Sequence, residues 1–358
     1  MMLELELKKQ GKIKRLTNKT FQFDPRIKDG WYTATYFLKT EKIVEKHAKD
    51  KIVTMQFFQR KDDVVLCGID EVIALIKTFA KNPDELKIEA LNDGDIIQSG
   101  EPVLKITGKY QSYGFLESLI DGVLARRSSV ATNVRDVVKA AYPTPVFFMG
   151  DRQDSYLNQQ GDGYASYIGG ISAQCTFAHG QWWGSNGGGT MPHALIQIMG
   201  GDTLKAAQAY HDVYPNEKVT ALVDFHNDVI KDSLIVARVL KENLGAVRVD
   251  TSDALVDHYF DDKDEKPHGV NPSLIKALRK ALDEEGFNNV KIVVSSGFDV
   301  AKINWFKKEN APVDSYGVGS SLLKINVGFT GDLVKLDGKD LAKEGRKDIP
   351  NPRLEIVD

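Results

Sequence analysis

Cysteine is scarce: Cys67 and Cys175 are the only two in 358 residues. They form no Cys-x-x-Cys pair, which excludes a disulfide framework and argues against a cysteine-rich zinc site. Both thiols are read as reduced, the state expected of a cytoplasmic chain. Cys67 stands in an apolar run and reads as core rather than nucleophile. An excess of positive charge is also missing, since 47 Lys and Arg face 50 Asp and Glu for a net charge of −3. No basic field therefore favours nucleic acid, although a local site for an acidic small molecule need not follow the overall sign. No apolar run reaches the roughly 18 residues of a membrane span. The opening MMLELELKKQGKIKR is mostly charged and lacks the apolar centre of a signal peptide. Internal repeats and low-complexity tracts are absent too.

What is present points to two units. A single core rarely grows past about 250–300 residues, so this length predicts two domains or a barrel with an extra layer. IVTMQFFQRKDDVVLC (52–67) reads as two strands around a polar turn, and IDEVIALIKTFA (69–80) has helical spacing. Residues 86–108 alternate as short strands broken by Asn92-Asp93-Gly94-Asp95 and Ser99-Gly100-Glu101-Pro102. Residues 1–111 are therefore read as an N-terminal α+β domain. From Tyr113 to about Ala141 the pattern is helical, with Ser128-Ser129 as an expected interruption. TPVFFMG (144–150) then opens an alternation of strands (219–225, 246–250, 291–296 and one after Val313) and helices (231–244, 271–286, 299–310). Gly245 and Gly286 are the expected helix terminators. This βα series predicts parallel strands with right-handed crossovers, as a parallel barrel or an open parallel sheet over 112–325. The tail 326–358 either lies peripherally or returns to the first module.

Function should sit where parallel strands end. Arg152 follows the first of these strands and Asp224 ends the next. Arg248 and Asp250 alternate near the end of the third and should share a face. Ser295, Ser296 and Gly297 end the fourth, and Gly317, Gly319, Ser320 and Ser321 follow the last. Small residues with backbone N–H groups and hydroxyls suit a phosphate, though Gly-Ser turns are common for conformational reasons alone. Asp250 fits a ribose diol or the water shell of Mg²⁺, with an ion pair to Arg248 as the structural alternative. Arg152 fits an anion or a surface pair with Asp151 or Asp154. In GGGTMPHALIQ (187–197), glycines lead through Thr190 and Pro192 to His193. A neutral imidazole there could accept a phosphoryl group, whereas most lone histidines are structural. Pro192 suits the first helical position.

RRSSVATN (126–133), FMGDR (148–152), GSNGGGTMPH (184–193), VRVDTSD (247–253), VSSGFD (294–299) and DSYGVGSS (314–321) together resemble the nicotinate phosphoribosyltransferases, in order and approximate spacing. The resemblance runs from YFLKT (36–40) to about residue 325. It implies a type II phosphoribosyltransferase fold: an irregular parallel α/β barrel with a flanking N-terminal α+β domain, assembled as a homodimer. The implied reaction joins nicotinate to 5-phosphoribosyl 1-diphosphate, giving nicotinate mononucleotide and diphosphate in NAD salvage. ATP is the implied co-substrate, and His193 matches the histidine that is phosphorylated. The glycines before it would then clear space for phosphates.

By the same resemblance, Tyr36 stacks on the base, from its own or the partner subunit, and Arg126 and Arg152 lie near the base or diphosphate. Asn186, Thr190 and Asp224 complete the substrate set, Asn186 being uncharged as suits a carboxylate substrate. Asp250 and Arg248 serve the ribose and diphosphate, and the 295–297 and 317–321 turns take the 5-phosphate. Mg²⁺ would arrive on substrate phosphates rather than in a protein cage, and no zinc, nucleic acid or membrane is expected. Ala34 and Thr35 stand where relatives often carry an acidic residue before the Tyr-Phe pair. Quinolinate or nicotinamide phosphoribosyltransferases are the nearest alternatives. A sugar-phosphate lyase or isomerase on a parallel barrel and a non-catalytic nucleotide-binding relative are more remote.

Overall fold

A computed structural model describes residues 2–357. Its first module is built on the strand β1 (Ile52–Gln59), whose side chains are nearly all buried. After a short β2 (Val64–Val65) come β3 (Lys87–Ala90), β4 (Ile96–Ile97) and β5 (Leu104–Lys109). The two strands read in 52–67 belong to different sheets, because β2 pairs with β4 while β1 pairs with β5. Helix α1 (Glu4–Lys9) precedes the module, α2 (Thr35–His47) lies over it, and α3 (Ile69–Phe79) buries Ile69 to Ile76 against it. The carboxylates Asp70 and Glu71 stand in the first turn of α3, where the helix dipole favours negative charge.

A short α4 (Tyr110–Tyr113) leads into α5 (Glu117–Ala141), a 25-residue helix shared by both cores. The interruption expected at Ser128-Ser129 does not occur. Both serines are buried, and their hydroxyls bond non-helical chain instead of competing with the helix. Ser128 Oγ accepts from the Cys67 N–H at 3.0 Å, and Ser129 Oγ accepts from the Val327 N–H at 2.9 Å. In this way one helix face stitches β2 and the C-terminal segment to the same axis.

The second module alternates β6 (Val146–Phe148), α6 (Gln159–Ile168), β7 (Ala173–Gln174), α7 (Phe177–Gly180), α8 (His193–Ile198), α9 (Thr203–Val213), β8 (Val219–Leu222), α10 (Val229–Leu240), β9 (Leu244–Val249), α11 (Pro272–Glu284), β10 (Lys291–Val294), α12 (Val300–Lys308) and β11 (Ser315–Val318). Its six strands form one sheet in the order β7-β6-β11-β10-β9-β8, every neighbour parallel. That order is the chain order of a barrel closed by the β6–β11 pair and left open between β7 and β8. The sheet is thus a curled half-barrel, as the βα series predicts. Gly286 follows α11 at positive φ as expected, but Gly245 terminates nothing: α10 stops at Leu240 and Lys241 takes the left-handed turn. Gly245 lies inside β9, where a Cβ would stand 2.8 Å from Lys218 Cβ.

The C-terminal stretch completes the first module. Strand β12 (Phe329–Leu336) runs antiparallel to β1 from Val53↔Leu336 to Gln59↔Phe329. Strand β13 (Lys339–Asp340) pairs with β12, and β14 (Glu355–Ile356) adds to β3. The N-terminal segment goes the other way, placing Leu5, Leu16 and Phe21 in the core of the half-barrel. No helix among the described residues is long and apolar enough to cross a membrane.

Candidate active site at the strand ends

Two adjoining cavities open at the C-terminal ends of the parallel strands. One, of about 380 Å³, is lined by Phe147, Met149, Arg152, Thr190, His193 and Leu222 among others. The second, of about 320 Å³, is lined by Gln153, Ser295, Ser296, Gly297, Gly317, Gly319 and Ser320. Met149, Arg152, Arg248 and Asp250 line both, so they form the waist between the lobes. The strand pleat explains the apolar wall. Phe147 and Met149 alternate along β6 toward the first cavity while Phe148 is buried in the core. Sequence reasoning passed over Phe147, Met149 and Leu222, although their period-two spacing carried the signal.

The waist is a closed polar ring. Arg248 Nη2 donates to Asp250 Oδ2 at 3.1 Å, and Arg248 Nε donates to Ser295 Oγ at 3.0 Å. Ser295 Oγ donates to Asp250 Oδ1 at 2.6 Å, and Arg248 Nη1 donates to Thr190 Oγ1 at 3.2 Å. Arg248 and Asp250 share a face of β9 because they are two residues apart. Their side chains are each 16% accessible, so the pair is largely desolvated yet still faces the cavity. The ion pair and the site position coexist. Satisfied on every side, the two groups are held in fixed rotamers, which is what preorganised charge requires.

His193 is the first residue of α8, with Pro192 outside the helix as the cap residue in extended conformation rather than in the first turn. The imidazole Nε2 lies 2.9 Å from Asp224 Oδ2. The histidine side chain is 46% accessible and its carboxylate partner 7%. Burial raises the Asp224 pKa above the ordinary range, His193 opposes that rise, and the charge of Asp250 adds to it. Asp224 Oδ1 is buried with no hydrogen-bond partner. A carboxylate on Nε2 selects the tautomer protonated there and leaves the Nδ1 lone pair for chemistry.

The open edge of the sheet explains how His193 arrives. No pairing joins β7 to β8, and residues 175–218 span the opening, tied to β7 by the isolated parallel bridge Gln174↔Gly187. Gln174, fully buried, latches this segment: its Nε2 donates to the carbonyls of Ser185 and Asn186, each at 3.3 Å. The glycines here divide their work. A Cβ on Gly187 would lie 2.9 Å from Thr176 C, so that position serves close chain packing. Gly189 has open space around it and lines the cavity, so only part of the run clears room for a ligand.

At the other lobe Ser296 (φ 79°) and Gly297 (φ 69°) are successive left-handed residues. A serine held there is strained, and such strain is found where surrounding structure fixes a functional turn. Lys302 Nζ bonds Ser296 O at 2.9 Å and Asp253 Oδ1 at 3.1 Å, while Asp299 caps α12. Gly317 and Gly319 let β11 approach Met149, whose sulfur and carbonyl would each meet an added Cβ at 2.7 Å. Ser320 lines the lobe. Ser321 turns its hydroxyl to Phe298 O at 2.9 Å and is absent from the lining.

Asp224 stands behind His193 rather than on either cavity wall, and three further sequence candidates lie off the walls as well. Tyr36 is 62% exposed at the start of α2, beside Phe37. Asn186 is exposed and engaged through its carbonyl. Arg126 is occupied by Asp162 and Asp154. Cys175 does line the first cavity, but burial and the neighbouring Asp151 push its thiol up to about 12, which removes it as a nucleophile at neutral pH.

Residues 33–128 match the family model for the N-terminal domain of quinolinate phosphoribosyl transferase. The nicotinate phosphoribosyltransferase pncB1 of Mycobacterium tuberculosis is 28% identical over 281 residues, 75% of this chain and 58% of its own length. The nicotinate phosphoribosyltransferase of Bacillus subtilis is 24% identical over 240 residues, 65% of this chain and 45% of its own. This chain therefore spans about half the length of these curated relatives. Among solved structures, nicotinate-nucleotide pyrophosphorylase from Pyrococcus furiosus is similar with a TM-score of 0.80 and 30% identity, covering 94% of this chain and 85% of that one. Human nicotinic acid phosphoribosyltransferase shares the fold with a TM-score of 0.66 at 18% identity, over 86% and 75% of the two chains. With strand ends converging on one two-lobed mouth, and with these likenesses in module and whole chain alike, the protein belongs to the same family as the Pyrococcus furiosus nicotinate-nucleotide pyrophosphorylase, of type II phosphoribosyltransferase fold.

Proposed function

We propose that the chain transfers the phosphoribosyl group of 5-phosphoribosyl 1-diphosphate to nicotinate, forming nicotinate mononucleotide and diphosphate for NAD salvage in the cytoplasm. The observation that carries this reading is the waist: Arg248 and Asp250, locked by Ser295, stand between a flat apolar-walled lobe and a lobe of small residues and hydroxyls. The pyridine ring fits against Phe147 and Met149, its carboxylate facing Arg152. The 5-phosphate fits the 295–297 and 317–320 turns. Asp250 then meets the ribose as the C1–O bond to diphosphate breaks and the C1–N bond forms. Positive charge develops at C1 and negative charge on the leaving group, so a fixed carboxylate and two guanidiniums lower the barrier electrostatically.

Mg²⁺ enters on the diphosphate in this reading. The oxygens of Asp250 at the waist and of Asp151 on the wall of the first lobe are hard donors that suit a cation keeping most of its waters. ATP serves as co-substrate through His193. The Nδ1 lone pair attacks the γ-phosphorus, an N–P bond forms as the P–O bond to ADP breaks, and water later releases phosphate. Asp224 holds the ring and balances its charge. The cationic lining of the first cavity is Arg152 and Arg248, beside His193. That set suits one carboxylate better than the two of quinolinate. The quinolinate family model covers 33–128, which supplies none of the residues lining either cavity.

A homodimer belongs to the same proposal. Helix α2 buries none of its residues, and Trp31, Tyr32, Tyr36 and Ile43 are exposed around it. Tyr156, Leu157, Phe177 and Ile198 are exposed on loops and helices of the half-barrel, so each module offers an apolar surface to a second copy.

The test is direct. Purified chain with Mg²⁺ and phosphoribosyl diphosphate should convert nicotinate in preference to nicotinamide or quinolinate, read by chromatography of the mononucleotide. Equal or greater use of quinolinate would overturn the substrate assignment. Replacing His193 by Ala should abolish the ATP-linked gain in rate while basal transfer persists. A full ATP effect in that variant removes the phosphohistidine.

A further inference from the structure

Arg126 stands outside both cavities, yet its guanidinium is held by two carboxylates near them. Nε and Nη2 donate to the two oxygens of Asp162 at 2.9 and 2.7 Å, a fork-to-fork pair with a carboxylate only 2% accessible. The same Nη2 lies 2.5 Å from Asp154 Oδ2. Asp154 belongs to the loop that leaves β6 and carries Arg152 two residues earlier. Its side chain also caps the turn, accepting from the Ser155 N–H at 2.5 Å and from Asn158 Nδ2 at 3.2 Å. The Ser155 N–H foremost, and Arg126 after it, hold the Asp154 pKa below the ordinary range.

Arg152 itself is exposed and carries no hydrogen bond or ion pair among the described residues, although it lines both lobes. What places it must act on its loop. Besides the Asp154 contacts, the loop is held by Gln159 Nε2 to Asp151 O at 3.0 Å and by a long Cys175 contact to Asp151 at 3.4 Å. Of these anchors only Arg126 is a rigid, charged group on a long helix.

The anchor continues inward. Arg127, next on α5, donates through Nε and Nη2 to Glu71 of α3 at 2.8 and 3.1 Å, and its Nη1 lies 3.5 Å from Asp162. Gly161 in α6 makes room for it, since a Cβ there would fall 1.8 Å from Arg127 Cζ. A continuous chain of charge therefore runs from the first module (Glu71) through Arg127, Asp162 and Arg126 to the Arg152 loop (Asp154).

We propose that Arg126 is a positioning residue: working through Asp154, it fixes the loop that presents Arg152 to the anionic substrate, and it does not itself bind the base. This rests on the phosphoribosyl-transfer reading above, but its test does not depend on that reading alone. The experiment compares Arg126→Lys, Asp154→Asn, the double variant and Arg152→Ala by hydrogen–deuterium exchange and steady-state kinetics. Asp154 is the surface partner, so its variant keeps the buried Asp162 pair intact if changes at Arg126 disturb folding.

Either of the first two variants should speed exchange of residues 151–158 several-fold. Each should lower kcat/KM for phosphoribosyl diphosphate by on the order of tenfold, as expected for a displaced charge-presenting loop. The double variant should be no worse than the singles, and Arg152→Ala should lose rate without faster loop exchange. The proposal is overturned if Asp154→Asn matches wild type in loop exchange, or if Arg126→Lys raises only the KM for nicotinate. Should the wild-type chain transfer nothing to nicotinate, the exchange result still decides the positioning role, so the two readings fail separately.

Discussion

At the barrel mouth these carboxylates each meet a basic side chain: Asp250 faces Arg248, Asp162 faces Arg126, and Asp224 faces His193. Against the sheet of the first module, Glu117, Asp121 and Asp332 crowd one another, with Arg346 reaching Asp332 at 2.6 Å. Burial, then the neighbouring Asp121 and Asp332, push Glu117 up to about 8, and burial raises Asp121 to about 6. Without a cation beside it, Glu117 thus keeps its proton at neutral pH. Proximity of carboxylates alone marks no active site, and neither does a cavity with one arginine beside them, since Glu117 and Asp332 line a cavity of about 370 Å³ and Arg346 reaches Asp332; the mouth differs in gathering its pairs at the ends of parallel strands.

The comparison breaks most visibly at the mouth. Asp250→Asn leaves Arg248 and Ser295 hydrogen-bonded but removes the charge, and kcat should fall by on the order of 100-fold, the scale of losing one preorganised electrostatic group. Circular dichroism should be unchanged, and a loss under threefold would deny Asp250 its role. Next comes the network joining the two regions. Gly161→Ala drives the Arg127 guanidinium off Glu71; its flexible end can swing away, so the cost is the broken buried pair, about 3 kcal/mol in urea unfolding. The smallest effect belongs to the acidic pocket. A folded-state pKa near 8, above the ordinary 4.5, means that the native form holds the extra proton. Stability from Glu117 therefore declines as pH rises between those values, and Glu117→Gln should raise Tm by a few degrees at pH 9 and leave it unchanged at pH 4. A Tm gain independent of pH would mean that the glutamate is already ionised throughout.

Much of the half-barrel was legible because buried parallel strands and amphipathic helices write their period into the chain, and each strand end then names its residues. Arg248 and Asp250 could be paired from spacing alone. Other features depend on distance in space. Ser128 and Ser129 looked like a break because their partners, Cys67 and Val327, are remote in sequence. Gly245 looked like a stop because nothing local reveals that Lys218 packs on it. Arg126 was read as a candidate for the base or diphosphate site; only coordinates show its guanidinium engaged by Asp162 and Asp154. Apolar wall residues such as Phe147 went unnoticed because they lack a charge to draw attention.

The missing pairing between β7 and β8 gives the ring of strands a seam. Every other strand end is fixed by two neighbours, so lengthening it by a residue would shift a whole register. The stretch bearing His193 is free of that constraint on the side of β8, although Thr190 on it touches Arg248 of the waist. The seam can therefore accept changes in length that the paired strand ends cannot, so long as Thr190 still reaches Arg248.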